Sequence, residues 1–175
     1  MAPVTIRPLE DTPQTRAALA EILIEAVTAG ASLHFMHPLG QKDATAFWDG
    51  ALAAASRGER VIMGAFDGDV LLGTVTLQLL CPPNQPHRGE IAKMMTRSAY
   101  RGRGIGTQLL KAAEASAVQR GRSLLVLDTA RDDGASLFYE KLGYRLAGEI
   151  PNYAYRPHGA LTATMIYWKW IGSAP

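Results

Sequence analysis

The chain has 175 residues, enough for one domain whose buried core needs no disulfide or metal to hold it. Its 47% hydrophobic and 19% charged residues exclude a disordered chain. A net charge of +2, from 18 Lys and Arg against 16 Asp and Glu, is too small a bias to argue for nucleic acid.

The single cysteine, Cys81, rules out an internal disulfide, and no Cys/His cluster has metal-ligand spacing. No apolar run reaches the ~18 residues of a membrane span. Met1–Pro13 lacks the apolar core of a signal peptide. These readings predict a cytoplasmic protein with no metal, no membrane and no nucleic-acid partner.

Val4–Arg7 is short and β-prone, and Thr12 and Pro13 suit the N-cap and first turn of a helix. In that helix Leu19, Ile22, Leu23, Ala26 and Val27 form one apolar stripe, and Gly30 ends it. After a loop at Ala31–Gly40, a second helix carries Ala44, Phe47, Trp48, Ala51, Leu52 and Ala55 on its inner face and stops at Gly58. Arg60–Phe66 and Val70–Leu80 flank Asp67-Gly68-Asp69, which reads as a hairpin. Cys81–Pro86, with its prolines, cannot continue a ladder and predicts a loop.

Beyond it the pattern predicts a strand near Glu90–Thr96, a helix near Gly104–Gln119 and a strand at Ser123–Asp128. A helix at Asp132–Leu142 and strands near Tyr144–Ile150 and Thr162–Trp170 follow. Strand–helix–strand alternation implies a right-handed crossover between parallel strands, inside a sheet whose early part is antiparallel. The expected fold is α/β: a mixed, mostly antiparallel sheet of six or seven strands with about four helices, in one domain over residues 1–175.

The sharpest local signal is Arg101-Gly102-Arg103-Gly104-Ile105-Gly106, directly after a predicted strand and opening a helix. Glycines let the backbone approach a phosphate, and the first amides of a helix are unpaired donors at the positive end of its dipole. Arg101 and Arg103 add charge. A Walker loop would need Gly-Lys-Ser/Thr, whereas Ile105-Gly106-Thr107 follows Gly104; a dinucleotide fold would carry its Gly-rich turn after the first strand. By residues alone, a pyrophosphate-bearing cofactor and a plain tight strand–helix turn both stay open.

These residues resemble the GNAT superfamily of acetyl-CoA-dependent N-acetyltransferases, whose motif is Arg/Gln-x-x-Gly-x-Gly/Ala between the fourth strand and third helix. Ala135–Tyr144 looks like the family's fourth-helix signature. Arg88–Met95, Leu127-Asp128-Thr129 and Gly148–Tyr153 are similar to the tabtoxin-resistance branch, which acetylates a β-lactam amino acid. Ser98 stands where many members have proline, and Asp132 where many have an asparagine facing the cofactor.

The resemblance implies the GNAT acyl-CoA N-acyltransferase fold, with acetyl-CoA as co-substrate and direct attack in a ternary complex. The acceptor it implies is a primary amine on a small molecule, amino-acid-like or antibiotic- or toxin-like. A protein or peptide acceptor, and a catalytically silent acetyl-CoA-binding module, are the alternatives. Family habit also favours a homodimer.

A protonated amine must lose its proton before attacking a thioester. The resemblance assigns that task to Glu90 and Asp128; otherwise they are an exposed loop carboxylate and a turn residue. A backbone N–H near Met95 would stabilise charge on the carbonyl oxygen if a bulge frees it. Tyr139 matches the family's proton donor to the departing thiolate, with packing beside Ala135, Phe138 and Leu142 as the other reading.

Cofactor contacts are expected from Met94, Met95 and Thr96, and from Arg101, Gly102, Arg103, Gly104, Ile105 and Gly106. Substrate choice is assigned to Ala31–Gly40 and Pro151–Leu161, with His34, Phe35 and Tyr153 as candidates. His34, His37 and His158 each fit a surface or packing role better than that of a base. Trp168 and Trp170 read as core or subunit contact. Only Tyr100 interleaves the Arg97–Arg103 cluster, which argues against nucleic acid.

Overall fold

Thr12 caps the first helix as its sequence predicts: its hydroxyl accepts the Thr15 N–H at 3.1 Å, and Pro13 begins the helix. The structure is a computed structural model describing residues 4–172, so the first three residues of the amino-terminal segment lie outside the described residues. Four α-helices and seven strands follow in the order β1 (Thr5–Pro8), α1 (Pro13–Thr28), α2 (Gln41–Ser56), β2 (Arg60–Asp67), β3 (Val70–Gln78), β4 (Arg88–Thr96), α3 (Ile105–Gln119), β5 (Leu124–Ala130), α4 (Ser136–Lys141), β6 (Arg145–Tyr155) and β7 (Leu161–Trp170).

The strands form one sheet in the order β1-β2-β3-β4-β5-β7-β6. Every neighbouring pair is antiparallel except β4 and β5. The expected mixed α/β class is therefore the observed one. Strand alternation sends Val61, Met63 and Ala65 to one face, where they pack on Ile105, Leu109, Leu110 and Tyr139 of α3 and α4. Ile62, Phe66 and Met95 meet Leu19, Leu23 and Trp48 of α1 and α2 on the other. Among the described residues no helix is long and apolar enough to cross a membrane.

Two elements differ from the sequence reading. The helix expected over Asp132–Leu142 is a 3-10 turn at Arg131–Asp133 followed by α4, which begins only at Ser136. Gly134, at φ +70°, breaks the helical path between them. The strand expected to end at Ile150 instead runs to Tyr155, so most of the presumed loop at Pro151–Leu161 is strand or turn. Its register shifts between Ile150, opposite Thr164, and Ala154, opposite Thr162. The shift bulges Pro151–Tyr153, which lets the strand continue past a proline.

Two irregularities open the sheet. β4 and β5 pair only at Arg88–Glu90 with Leu124–Val126, then part while each strand continues. On the other edge of β4, Thr74 faces Met95 and Thr76 faces Ala92, a bulge that places Lys93 at φ +50°. Gly73 permits this approach, since a Cβ there would lie 2.6 Å from the Met95 carbonyl oxygen. Gly73→Ala is therefore expected to destabilise the protein by about 1–3 kcal/mol, read by thermal or denaturant unfolding. Gly50→Ala, in α2 with nothing within 4 Å of the new methyl, should instead raise stability by about 0.5–1 kcal/mol.

Candidate active site

Where β4 and β5 part, a cavity of about 700 Å³ enters the molecule. Its floor is Glu90–Thr96 of β4 with Asp128 and Thr129 of β5. The loop at Arg101–Gly106 and the segment from Ala29 to His34, after α1, also contribute to its lining. Phe138 and Tyr139 of α4 line it as well. Beyond Glu90, the edge of β4 that faces β5 has no strand partner, so its backbone groups are available to a bound molecule.

In that loop, Gly102 and Gly104 adopt φ of +76° and +75°. Gly104 caps α3 with no side-chain hydrogen bond, leaving the first amides of the helix as free donors. Gly106 keeps the floor open: a Cβ would meet Met94 Cε at 3.2 Å and Phe138 Cζ at 3.5 Å. Of the cofactor candidates, Met94, Met95, Thr96, Arg101, Gly102, Gly104, Ile105 and Gly106 line the cavity. Arg103 does not; its guanidinium lies over the Tyr100 ring at 5.1 Å, and its Nη2 donates to the Ala99 carbonyl. Ser98 has its own local reason, since its N–H donates to Glu25 Oε1 at 2.6 Å, a bond that proline could not make.

Glu90, Asp128 and Tyr139 come together on this one cavity from three separate elements. Asp128 is oriented by Thr164 of β7, whose hydroxyl donates to Oδ2 at 3.0 Å. Glu90 has Arg88 Nη1 at 3.6 Å from Oε2. The Tyr139 hydroxyl donates to the Met94 sulfur at 3.8 Å. Burial, and secondarily the charge of Asp128, push its pKa up to about 12, so the phenol keeps its proton. Asp132 also faces the cavity and accepts from the Thr162 hydroxyl at 3.2 Å.

His34 lines the cavity, at φ +68°. Phe35 and Tyr153, the other two acceptor candidates, do not. Phe35 packs edge-on against Phe47 with ring centroids 5.1 Å apart. Tyr153 falls in the β6 bulge and is 56% exposed. The His37 and His158 rings meet at a tilt, with centroids 4.5 Å apart, and His158 Nε2 lies 3.0 Å from the Thr28 carbonyl oxygen.

Sequence reasoning gave no role to Lys93, Asp133 or Arg156, all of which line the cavity. Asp133 accepts the Ser32 N–H at 3.0 Å and an Arg156 N–H at 3.4 Å, tying three segments into one wall. Lys93 lies inside the Arg88–Met95 motif, but only its cavity placement distinguishes it from a solvated lysine. Among the described residues no three His, Cys, Asp or Glu side chains are grouped as a metal site requires.

The sequence profile of the acetyltransferase (GNAT) family matches residues 19–144, well over half of the chain. The chain belongs to the acetyltransferase (GNAT) family. N-alpha-acetyltransferase 30 of Schizosaccharomyces pombe is 36% identical over 81 residues, 46% of this GNAT chain and 54% of that protein. The match thus spans about half the length of that relative.

Solved structures with the same fold include the following two. An acetyltransferase from Salmonella typhimurium, determined with its cofactor acetyl-CoA, superposes with a TM-score of 0.80 at 18% identity, covering 98% of this chain and 95% of its own. A protein described as a phosphinothricin N-acetyltransferase gives 0.80 at 19%, covering 98% and 100%. In GNAT terms, the Gly-rich loop and the α4 signature read from the sequence lie against the same cavity.

Proposed function

We propose that this GNAT protein, acting as one domain, transfers an acetyl group from acetyl-CoA to a primary amine of a small, amino-acid-like or toxin-like molecule. The observation that carries this reading is the convergence of Glu90, Asp128 and Tyr139 on one cavity that the Gly-rich loop also lines.

The residues present fit the cofactor. Free α3 amides and Arg101 suit a pyrophosphate, the unpaired β4 edge suits an amide-bearing arm, and Gly106 leaves room that a side chain would fill. Acetyl-CoA supplies an activated thioester carbonyl. Glu90 and Asp128 take the proton from the acceptor ammonium, directly or through water. The bulge at Lys93 and Met94 frees backbone donors for charge developing on the carbonyl oxygen. Tyr139, protonated throughout the neutral range, donates to the departing sulfur.

The resemblance to N-alpha-acetyltransferase 30 favours a second reading, acetylation of a peptide α-amine. The Ser32–Asp133–Arg156 contacts draw three segments together as one wall of the cavity, which favours a smaller acceptor over a peptide. The test incubates the protein with acetyl-CoA and amino acids, β-lactam amino acids, polyamines, aminoglycosides and short peptides, following free thiol and product mass. Acetylated small amines are the expected product. Acetylation of peptides alone would replace this reading with the second, and acetyl-CoA binding without any turnover would make the protein a silent binding module.

A further inference from the structure

Among the described residues Lys93 is a cation with no ion-pair partner within 4.0 Å. It sits on the β4 bulge, on the same strand as Glu90, and lines the same cavity. Its Nζ lies 3.2 Å from His34 Nδ1, with the Phe47 and Phe35 ring centroids at 5.6 and 6.0 Å.

The carboxylates around the cavity each have another partner. Glu90 faces Arg88, Asp133 holds Ser32 and Arg156, Asp128 takes the Thr164 hydroxyl and Asp132 the Thr162 hydroxyl. Burial pulls the Lys93 pKa down, while Asp128 and Glu90, beyond pairing distance, hold it up. An ammonium partly withdrawn from water with unused donors is unfavourable until an anion meets it.

We propose that Lys93 anchors an oxyanion carried by the acceptor itself, so that the preferred acceptor bears both an amine and a carboxylate or similar acid. The amine is presented to Glu90 and Asp128 while the acid reaches Lys93. Such a requirement disfavours a peptide, whose first carboxyl group is spent in an amide bond. The inference rests on the acetyl-transfer reading above. Its competitor is a lysine that merely offsets the charge of Glu90 and Asp128, and that role would act on every acceptor alike.

The experiment compares matched acceptors: amino acids, their carboxamides, the corresponding decarboxylated amines and aminophosphonates, with wild type, Lys93→Met and Lys93→Arg. Wild type is expected to favour the acid over its amide by about 10- to 100-fold in kcat/KM, the usual worth of a charge-assisted hydrogen bond. Lys93→Met should bring that ratio close to one through the acceptor KM, and Lys93→Arg should retain most of it. The phosphonate arm tells whether the site takes any oxyanion or a planar carboxylate.

Equal use of acid and amide by wild type, or equal losses for both in Lys93→Met, would overturn the anchor. Absence of turnover on every amine would instead count against the acetyl-transfer reading. Calorimetric titration of acid and amide onto the CoA-loaded protein then decides Lys93 separately, and no preference for the acid overturns it.

Discussion

The double variant Glu90→Gln/Asp128→Asn is expected to lose about 10²- to 10⁴-fold in kcat/KM near neutral pH, the range that general base catalysis contributes. The two side chains reach the cavity from adjacent strands, Glu90 at the last position where β4 pairs with β5 and Asp128 just beyond the point where β5 stops pairing with β4. An alkyl ammonium with a pKa of ~10 offers little free amine at pH 7 unless a neighbouring group accepts its proton. The amide replacements keep the shapes, and the carboxamide oxygen introduced by Asp128→Asn can still accept from the Thr164 hydroxyl. Loss of activity should therefore come without loss of fold, checked by unchanged unfolding midpoints.

The variant's rate should also climb with pH as the free amine becomes available, which partly closes the gap to wild type in alkaline buffer. Single variants separate the roles: the residue nearer the amine carries the larger loss. A double variant with wild-type rates across pH would remove both carboxylates from the mechanism.

Tyr139→Phe is expected to lower kcat by about 10²-fold, the lower end of general acid catalysis. The hydroxyl points at a sulfur 3.8 Å away, a weak acceptor that leaves its proton available to a stronger one. The ring packs edge-on against Phe138 at 5.2 Å and against Tyr144 at 5.7 Å, contacts that phenylalanine keeps. Its pKa of about 12 places ionisation above the working range, so wild type should show no tyrosine limb in its pH–rate profile below pH 10.

The same shift has a stability consequence. With the folded pKa above the ordinary 10, the contribution is fully present below pH 10 and is lost as pH rises toward about 12. Burial raises Tyr144 in the same direction. Wild type should lose stability through that alkaline window, and Tyr139→Phe should lose less. Identical alkaline slopes for the two proteins would contradict the buried, protonated phenol.

Much of this molecule is legible residue by residue. The α1 stripe at Leu19, Ile22, Leu23, Ala26 and Val27 is buried as its spacing predicts, and Thr12 and Pro13 start that helix where they should. The β2–β3 hairpin, the loop after it and the Gly-rich turn before α3 are equally local, set by side-chain alternation and by glycines at positive φ. Where the sequence misled, one cause was local and one was distant. Gly134 reads as an ordinary helix residue until its positive φ is seen. Pro151 reads as a strand end until β7 is laid beside it, with the bulge taking up the proline.

The candidate site divides along the same line. Glu90, Asp128 and Tyr139 are named by the resemblance of their motifs to the family, and the Arg101–Gly106 loop by its glycines and its place between a strand and a helix. What only the tertiary structure decided is that they share a cavity, that Phe35 and Tyr153 stand outside it, and that Lys93, Asp133 and Arg156 belong to it. Those facts depend on where β4 and β5 stop pairing, and on contacts such as Lys93 with His34 and Ser32 with Asp133. Their partners lie 59 and 101 residues apart in the chain, beyond the reach of any local pattern. Local periodicity specifies the elements; strand register and long-range packing specify which side chains meet.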